Sequence, residues 1–380
     1  MTAFQGKQAE AFAPLAGVQV LDFSHVIAGP LASFYLAQLG ATVIKVEGRE
    51  GDVMRNTPRG AQAYAALNHG KQSLRLDMND AAQKQEALKL AAKADILLDN
   101  LRPGALEKHG LGPGALLATN PKLIYCSVSG FGRAGSGPGS DPGANPWAGR
   151  PAYDHVVQAA TGMALMAGNE GDPPIKVGFP AIDAATGLLA AFAMLAGLRE
   201  RDRSGRGMLL DVSMSNAALQ LMYPFTCDAL TTGNTPPRVG NQGYSGSPAA
   251  DLFETSDGWI AIGANKPKHV AALLRALKLD DIAADRSIFP DGLVTDGPAA
   301  FARAADPAKL KAALAAALRQ HPAAALEETL AAQGVPVARL RRLGEFASEL
   351  RAMPGSCAVQ LGEGEASSWS PGLGFGVFQA

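Results

Sequence analysis

A single acidic side chain, Asp183, stands near the start of an otherwise apolar run, VGFPAIDAATGLLAAFAML at residues 177–195. The alanine, leucine, phenylalanine and methionine residues that follow it predict a helix packed inside the protein. A carboxylate near a helix start has two uses: it caps backbone N–H groups, or it acts as a nucleophile in covalent catalysis. Both uses can hold together, because exposed N–H groups at a helix start keep a carboxylate ionised, as a nucleophile requires.

Other side chains able to do chemistry are scattered along the chain. His25 lies in a loop after the first predicted strand, where a structural and a catalytic role both stay open, and His155 beside Asp154 is interpreted as structural. The run DFSHVIAGPLA lacks the GxGxxG pattern, and GxxxxGK[ST], GxSxG and HExxH are absent. The three cysteines are far apart and form no CxxC pair. These absences argue against a nicotinamide dehydrogenase and predict no metal site.

Strand and helix patterns alternate along the first 200 residues. Short apolar runs predict strands at 18–23, 42–47, 73–78, 95–100 and 122–131, and helices are predicted at 30–40 and 86–94. This alternation is typical of an α/β fold with a parallel sheet covered by helices on both faces. Ligands of such sheets bind beyond the carboxyl ends of the strands. The loops to inspect are therefore SHVIAGP, EGREGD, NLRPGALEKHG and SGFGRAG.

The rest of the chain predicts a second, smaller domain. We expect a large domain over residues 1–200, a linker at 201–224, a small α+β domain at 225–330, and a return to the large domain at 331–380. A hairpin is predicted at 251–264 and a strand at 334–340. The segment 132–151 is rich in glycine and proline, and its Trp147 is either a loop anchor or part of a lid over a substrate.

Composition limits the function classes. The chain has 380 residues, of which 47% are hydrophobic and 18% charged, and its formal net charge is -1. A sizeable core is therefore available, and nothing indicates a nucleic-acid or membrane surface. The N-terminus lacks the apolar core of a signal peptide, and no run approaches about 20 apolar residues. With its dispersed cysteines, the chain is expected to be cytoplasmic and without a membrane span.

Eight blocks in one order resemble the class III CoA-transferases, the formyl-CoA and carnitine CoA-transferase family, over residues 16–345. They are VLDFSHVIAGPLASFYLAQLGATVIKVE, NHGKQSLRLDM, DNLRPGALEKHGL, NPKLIYCSVSGFG, PAYDHVVQAATG, SGRGMLLDVSM, VGNQGYSGSPAADLFETSDGWIAI and GVPVARL. The resemblance implies a large Rossmann-like CoA-binding domain, a smaller domain and a homodimer of interlocked rings. It implies that the active site lies between the large domain of one chain and the small domain of the other. It also implies that Asp183 is the nucleophile, that acyl-CoA and small carboxylic acids are the substrates, and that no cofactor is tightly bound.

The resemblance assigns further residues to CoA and substrate. The CoA contacts that it implies are Val26, Ile27, Ala28, Leu76, Asn79, Asn100, Leu101, Arg102, Lys108, Ser129 and Phe131. Arg49 joins Arg102 and Lys108 as a candidate partner of the CoA phosphates, because guanidinium and ammonium groups bind phosphate. Tyr153, Gly243 and Gly246 are expected at the reacting groups, and the glycine-rich loop 240–247 is a source of backbone N–H donors for an oxyanion.

Two departures from the family pattern bear on the reaction. Ile27 stands where formyl-CoA transferase has a glutamine that meets the reacting carboxylate, which argues against formyl or oxalyl transfer. Tyr153 stands where the related α-methylacyl-CoA racemases have an acid/base histidine, and a tyrosine pKa near 10 suits Cα proton transfer poorly. We therefore expect CoA transfer, and keep racemisation, intramolecular acyl-CoA isomerisation and non-catalytic CoA binding as alternatives.

Overall fold

A computed structural model describes residues 12–57, 60–134, 145–293, 301–362 and 367–377. It divides the chain into two compact units. The first contains the described residues up to Ala167, the segment Pro174–Pro236, and the described residues from Pro354 onward. The second contains Gly168–Pro173 and Pro237–Met353. Of the small domain that the sequence predicts at 225–330, residues 225–236 belong to the first unit and the rest to the second. The limits of this domain stay a prediction.

The first unit is built on a six-stranded sheet in which every neighbouring pair is parallel. The strand order is β3-β2-β1-β4-β5-β6. This arrangement confirms the predicted α/β class with a Rossmann-like parallel sheet. The strands are β1 Gln19–Asp22, β2 Thr42–Glu47, β3 Gln72–Arg75, β4 Ile96–Asp99, β5 Ile124–Ser129 and β6 Met208–Ser213.

Helices cover both faces of this sheet. They are α1 Ala28–Gln38, α2 Gly60–Leu67, α3 Ala81–Lys93, α4 Pro113–Thr119, α5 Asp154–Ala160, α6 Ala181–Ser204, α7 Met214–Leu221 and α8 Tyr223–Thr232, with 3-10 turns at Val53–Asn56, Glu107–His109 and Met163–Leu165. Alternate residues of a strand enter different cores, as the two-residue period requires. In β5, Ile124 and Cys126 pack with α1 and α6, while Tyr125 packs with α3 and α4. Residues 201–224, treated above as a linker, include β6 and α7.

The longest helix, α6, carries Asp183 and lies against α1. A Cβ atom added at Gly187 would come within 2.8 Å of the Ala28 carbonyl oxygen, so glycine permits this close approach. By length and apolar composition, α6 is the one helix of the described residues that could cross a membrane. From the sequence we expected no such run, and this expectation was wrong. Its residues Ile182, Ala190 and Met194 are fully buried in the first unit, as in the core helix of a globular protein.

The second unit has its own core and an antiparallel sheet of order β7-β8-β9. The predicted hairpin is present, and Thr255 closes its turn by donating its N–H to the Gly258 carbonyl oxygen at 2.9 Å. The elements are β7 Ala250–Glu254, β8 Trp259–Gly263, α9 Pro267–Ala276, α10 Asp280–Ala284, α11 Pro307–Leu318, α12 Ala323–Ala332, β9 Val337–Arg339 and α13 Leu343–Ala352. The C-terminal part of the first unit adds a pair of short antiparallel strands, β10 Val359–Leu361 and β11 Ser368–Ser370.

Candidate active site

A cavity opens at the carboxyl ends of β1, β4 and β5, where the strand order reverses direction. Such a switch point is the usual ligand site of an open α/β sheet. The cavity holds about 190 Å³. Its walls come from the loops after these three strands, from residues 149–153, and from the start of α6.

Most of the predicted site residues line this one cavity. They are Val26, Ile27, Ala28, Asn100, Leu101, Arg102, Ser129, Phe131, Tyr153 and Asp183. The sequence separates the first and last of them by more than 150 positions, and the sheet brings them together. Within the part of the chain that the structure describes, Asp183 is the one carboxylate on the wall of this cavity.

Two further cavities continue from the first. The nearer one, of about 370 Å³, contains Leu76 and Lys108 and shares His25 and Leu101 with the Asp183 cavity. A third contains Arg49 and shares Leu76 with the second. Because neighbouring cavities share lining residues, the three cavities form a continuous series from Asp183 to Arg49 along the edge of the sheet.

Three predicted residues, Asn79, Gly243 and Gly246, are not among the residues that line these three cavities. Asn79 is exposed in the turn before α3, and its N–H donates to Asp77 Oδ1 at 2.9 Å. Gly243 and Gly246 belong to the second unit. The Gly243 N–H donates to the Ala250 carbonyl oxygen at 2.7 Å, and the Gly246 N–H donates to that of Gly243 at 2.9 Å. Both N–H groups are thus already bonded within the second unit, to the first residue of β7 and to the loop itself.

The loop after β1 is held rigidly in place. Val26 has a φ of 68°, a left-handed conformation that costs free energy for a β-branched residue. Its N–H donates to Asp52 Oδ2 at 3.2 Å, and the buried Lys45 ammonium lies 3.3 Å from the same oxygen. The Asn100 side chain bonds both the N–H and the carbonyl oxygen of His25, at 2.9 and 2.8 Å. Asn100, predicted as a CoA contact, therefore also fixes the cavity wall.

His25 is a wall shared by the first two cavities, and its ring is held without a charge. Burial lowers its pKa below the usual value, because a charged imidazolium loses hydration there. Its Nδ1 atom is buried and has no hydrogen-bond partner among the described residues. The sequence left its role open.

Asp183 does not cap its own helix, contrary to one of the two uses considered above. The helix begins at Ala181, so Asp183 is its third residue, and Pro180 occupies the N-cap position. The cap is supplied from another helix: Asp154 Oδ2 accepts the N–H groups of Ile182 at 2.8 Å and of Asp183 at 3.0 Å. The first turn of α6 is therefore satisfied by a carboxylate 29 residues upstream of Asp183.

This arrangement also reverses the expected effect on ionisation. Burial is the larger cause and the negative charge of Asp154 the smaller one, and together they raise the pKa of the Asp183 carboxyl to about 6. Helix-start N–H groups were expected to keep Asp183 ionised, but they are occupied by Asp154 instead. Asp183 is thus a partly buried carboxylate that remains mostly ionised at neutral pH.

Gln158 ties this cap to the segment before α6. Its Nε2 donates to Asp154 Oδ1 at 2.5 Å, and its Oε1 accepts the Val177 N–H at 2.8 Å. The side chain is buried, so both bonds are shielded from water. Gln158 therefore couples the orientation of Asp154 to the chain that leads into Asp183.

Trp147 is anchored beside the cavity. Its ring centroid lies 5.2 Å from that of Phe131, and the Arg150 guanidinium carbon lies 4.2 Å from its ring centroid. Of the two roles left open for Trp147, this contact corresponds to the loop anchor. Residues 135–144 of the same glycine-rich segment lie outside the described residues.

The model of CoA-transferase family III matches residues 15–369. The chain belongs to this family. A succinyl-CoA:mesaconate CoA-transferase of Haloarcula hispanica is 35% identical over 292 residues, which cover 73% of this chain and 70% of that protein. An acetyl-CoA:oxalate CoA-transferase of Acetobacter aceti is 32% identical over 341 residues, covering 88% and 82%.

A solved structure shows the same fold. The crystal structure of a CAIB/BAIF family protein from Brucella suis superposes with a TM-score of 0.74 at 29% identity, covering 90% of this chain and 86% of that one. The sequence resemblance is therefore confirmed, and the protein is a CoA-transferase. The assignments of individual site residues stay predictions.

Sequence reasoning missed three residues of this site: Asp154, Gln158 and Arg150. The DH pair at 154–155 was noted, but attention went to the histidine, which is exposed on α5. No local pattern marks Gln158 or Arg150. A signal was present for Asp154, because an acid at the start of one helix can cap another helix once the fold brings them together.

Proposed function

We propose that this CoA-transferase moves CoA from an acyl-CoA thioester to a small carboxylic acid through a covalent aspartyl-CoA thioester at Asp183. The position of Asp183 gives this proposal its strongest support. Among the described residues, Asp183 is the one carboxylate that lines the Asp183 cavity at the carboxyl ends of β1, β4 and β5. A carboxylate carrier suits the reaction, because it can hold the acyl group and then the CoA.

The chemistry balances without an external reagent. The Asp183 carboxylate attacks the thioester carbonyl, the C–S bond breaks, and a mixed anhydride and CoA thiolate result. The thiolate attacks the aspartyl carbonyl carbon and expels the donor acid as a carboxylate, leaving aspartyl-CoA thioester. The acceptor carboxylate attacks this thioester and releases the thiolate, which then attacks the acceptor carbonyl of the new anhydride and regenerates Asp183. CoA serves as a substrate throughout, and the transfer requires no tightly bound cofactor.

The environment of Asp183 favours these steps. A pKa of about 6 leaves most of the carboxylate ionised at neutral pH. Partial burial strips hydration from the nucleophile and limits hydrolysis of the anhydride. The cap by Asp154 holds the backbone on which the carboxylate is mounted.

The connected cavities provide a route for the CoA moiety. In this proposal the thioester lies at Asp183, the pantetheine arm passes His25 and Leu101, and the phosphates lie toward Arg49, Arg102 and Lys108. Within the described residues these three exposed cations form no ion pair, so their charges are available to phosphate.

The proposed acceptors are small carboxylic acids. The names of the relatives in Haloarcula hispanica and Acetobacter aceti specify succinyl, mesaconate and oxalate groups. We further propose a homodimer, because the first unit exposes large apolar side chains on helices that a second chain would cover. Leu188 and Phe192 of α6 are 54% and 70% exposed, and Leu230 of α8 is 81% exposed. Light scattering on the purified protein tests this directly: a monomeric mass would remove the proposal.

Intact-protein mass spectrometry tests the covalent carrier. The protein is mixed with succinyl-CoA, acetyl-CoA and butyryl-CoA, quenched, and digested to locate an adduct labile to hydroxylamine. We expect an aspartyl-CoA adduct on Asp183, and complete loss of both adduct and transfer in Asp183→Ala. The matched control is Asp202→Ala near the other end of α6, where the side chain is exposed. Normal transfer by Asp183→Ala would refute the mechanism.

The isomerase alternative gives a different result in the same experiment. A racemase exchanges the α-proton of its acyl-CoA with solvent and needs no aspartyl-CoA adduct. Deuterium incorporation at Cα in D₂O without an adduct would therefore replace our proposal by racemisation.

A further inference from the structure

We propose that Arg150 determines the acid specificity of this enzyme by binding the second carboxylate of a dicarboxylic acid while the first carboxylate reacts at Asp183. This inference rests on the proposed function, since it assumes that Asp183 is the reacting centre. It concerns the class of acid, which the family relationship does not define for this chain.

Arg150 lies close enough to the proposed reacting centre to line the same cavity. Arg150 and Asp183 are walls of the same cavity, so a short molecule within it can face both side chains. Two other basic side chains line this cavity. Arg102 lies on the β4 loop, toward the proposed CoA route, and burial lowers the pKa of His25 so that its ring stays neutral.

The charge of the Arg150 guanidinium has no partner among the residues that the structure describes. Across the described ranges, no carboxylate lies within ion-pair distance of it and no acceptor takes a hydrogen bond from it. It is exposed and rests on the face of Trp147. A guanidinium held against an aromatic ring keeps its N–H donors for a ligand, and a guanidinium can bind a carboxylate with two parallel hydrogen bonds.

Arg150 is supported by a turn that is itself held in place by contacts with Phe131. Trp147 packs on Phe131 at the end of β5, and Asn145 holds this turn by donating Nδ2–H to the Phe131 carbonyl oxygen at 2.8 Å. The Arg150 N–H donates to the Trp147 carbonyl oxygen at 3.2 Å, which closes the turn. A long side chain that is stacked and mounted on a fixed turn loses less conformational entropy on binding than a free surface arginine.

Electrostatics favours a dicarboxylate at this position. An acceptor acid that approaches the neutral aspartyl-CoA thioester at Asp183 meets the negative charge of Asp154, which caps the same helix start. The Arg150 guanidinium, which has no ion-pair partner among the described residues, lines the same cavity and offsets that repulsion for a substrate with a second carboxylate. A monocarboxylate of the same length has no second carboxylate for Arg150 to bind, so the guanidinium stays hydrated.

The experiment compares isosteric acids. Transfer from acetyl-CoA is measured with succinate and butyrate, and with glutarate and valerate, in the wild type, Arg150→Gln and Arg150→Lys. We expect the succinate-to-butyrate ratio of kcat/KM to fall about 10- to 100-fold in Arg150→Gln, the usual effect of losing hydrogen bonds between charged groups. Arg150→Lys restores part of the ratio, because it keeps the charge but loses the planar fork. The matched control, Arg206→Gln on an exposed turn, keeps the wild-type ratio.

The outcomes separate this inference from the proposed function. Equal losses for succinate and butyrate would mean that Arg150 supports the structure only, and an increase in KM for acetyl-CoA alone would assign Arg150 to a CoA phosphate. Either result, or an unchanged ratio, overturns the inference. An aspartyl-CoA adduct formed by Arg150→Gln from acetyl-CoA would show that the carrier mechanism still holds in each case. Absence of an adduct in the wild type with succinyl-CoA, acetyl-CoA and butyryl-CoA alike would instead refute the proposed function.

Discussion

The charge of Asp154 offers a direct test of how the site controls its nucleophile. Asp154→Asn removes one negative charge and keeps a side-chain oxygen able to accept the N–H groups of Ile182 and Asp183. The pKa of Asp183 is raised from 3.8 to about 6, with burial as the larger cause and Asp154 as the second. Asp154 is the smaller of the two causes, so its removal is expected to lower the pKa of Asp183 by no more than about 1, which corresponds to about 1 kcal/mol.

The assay is kcat/KM for CoA transfer as a function of pH, which reports ionisations of the free enzyme. Only the ionised carboxylate attacks, so wild-type activity falls as the pH drops through about 6. In Asp154→Asn this fall is expected to move down toward pH 5. At pH 5 the ionised fraction of Asp183 then rises from about 0.1 to as much as about 0.5, and activity relative to the neutral-pH plateau rises by up to about five-fold.

The control for this experiment is Asp202→Asn, which makes the same charge change at an exposed position near the other end of α6. Its acid limb is expected to coincide with that of the wild type. A lower plateau in Asp154→Asn would report a weakened cap and leaves the pKa argument intact, because the position of the limb is independent of its height. If the limb of Asp154→Asn stays near pH 6 or moves upward, the charge of Asp154 does not set the pKa of Asp183.

Two further predictions concern the scaffold of the site. Gly187→Ala introduces a Cβ atom 2.8 Å from a carbonyl oxygen of α1, and we expect it to lower the free energy of unfolding by about 1–3 kcal/mol and to raise KM for acyl-CoA. In the control Gly114→Ala the added Cβ meets open space, and neither effect is expected. Equal denaturation midpoints for the two variants would contradict this prediction. Lys45→Met leaves the buried Asp52 carboxylate without its ion-pair partner, and we expect the free energy of unfolding measured in urea to fall by about 3–5 kcal/mol. The control Arg203→Met removes an exposed ion pair and should change stability little. An unchanged stability of Lys45→Met would show that Asp52 is not held by that ion pair.

Much of the fold was predictable because its signals are local. The strands β1, β2, β4 and β5 are short apolar runs bounded by turn residues, and their alternation with helices specifies a parallel sheet. The loops after these strands were identified as ligand-binding loops for the same reason, since the carboxyl ends of parallel strands share one edge. Asp183 was singled out because one acid in an apolar helix is visible without knowing any contact.

The sequence by itself determined the residue types, the order of elements and the family, and hence the residue expected to carry CoA. It did not determine which groups meet. The cap of α6 comes from Asp154, and the stack of Phe131, Trp147 and Arg150 joins residues from a strand end and a distant turn. The ionisation of Asp183 was wrongly expected to be favoured by its own helix, because the partner of a backbone N–H and the burial of a carboxylate are set by long-range packing. Local propensity fixes elements, but distances between them, and the charges that face one another across a cavity, exist only in the tertiary structure.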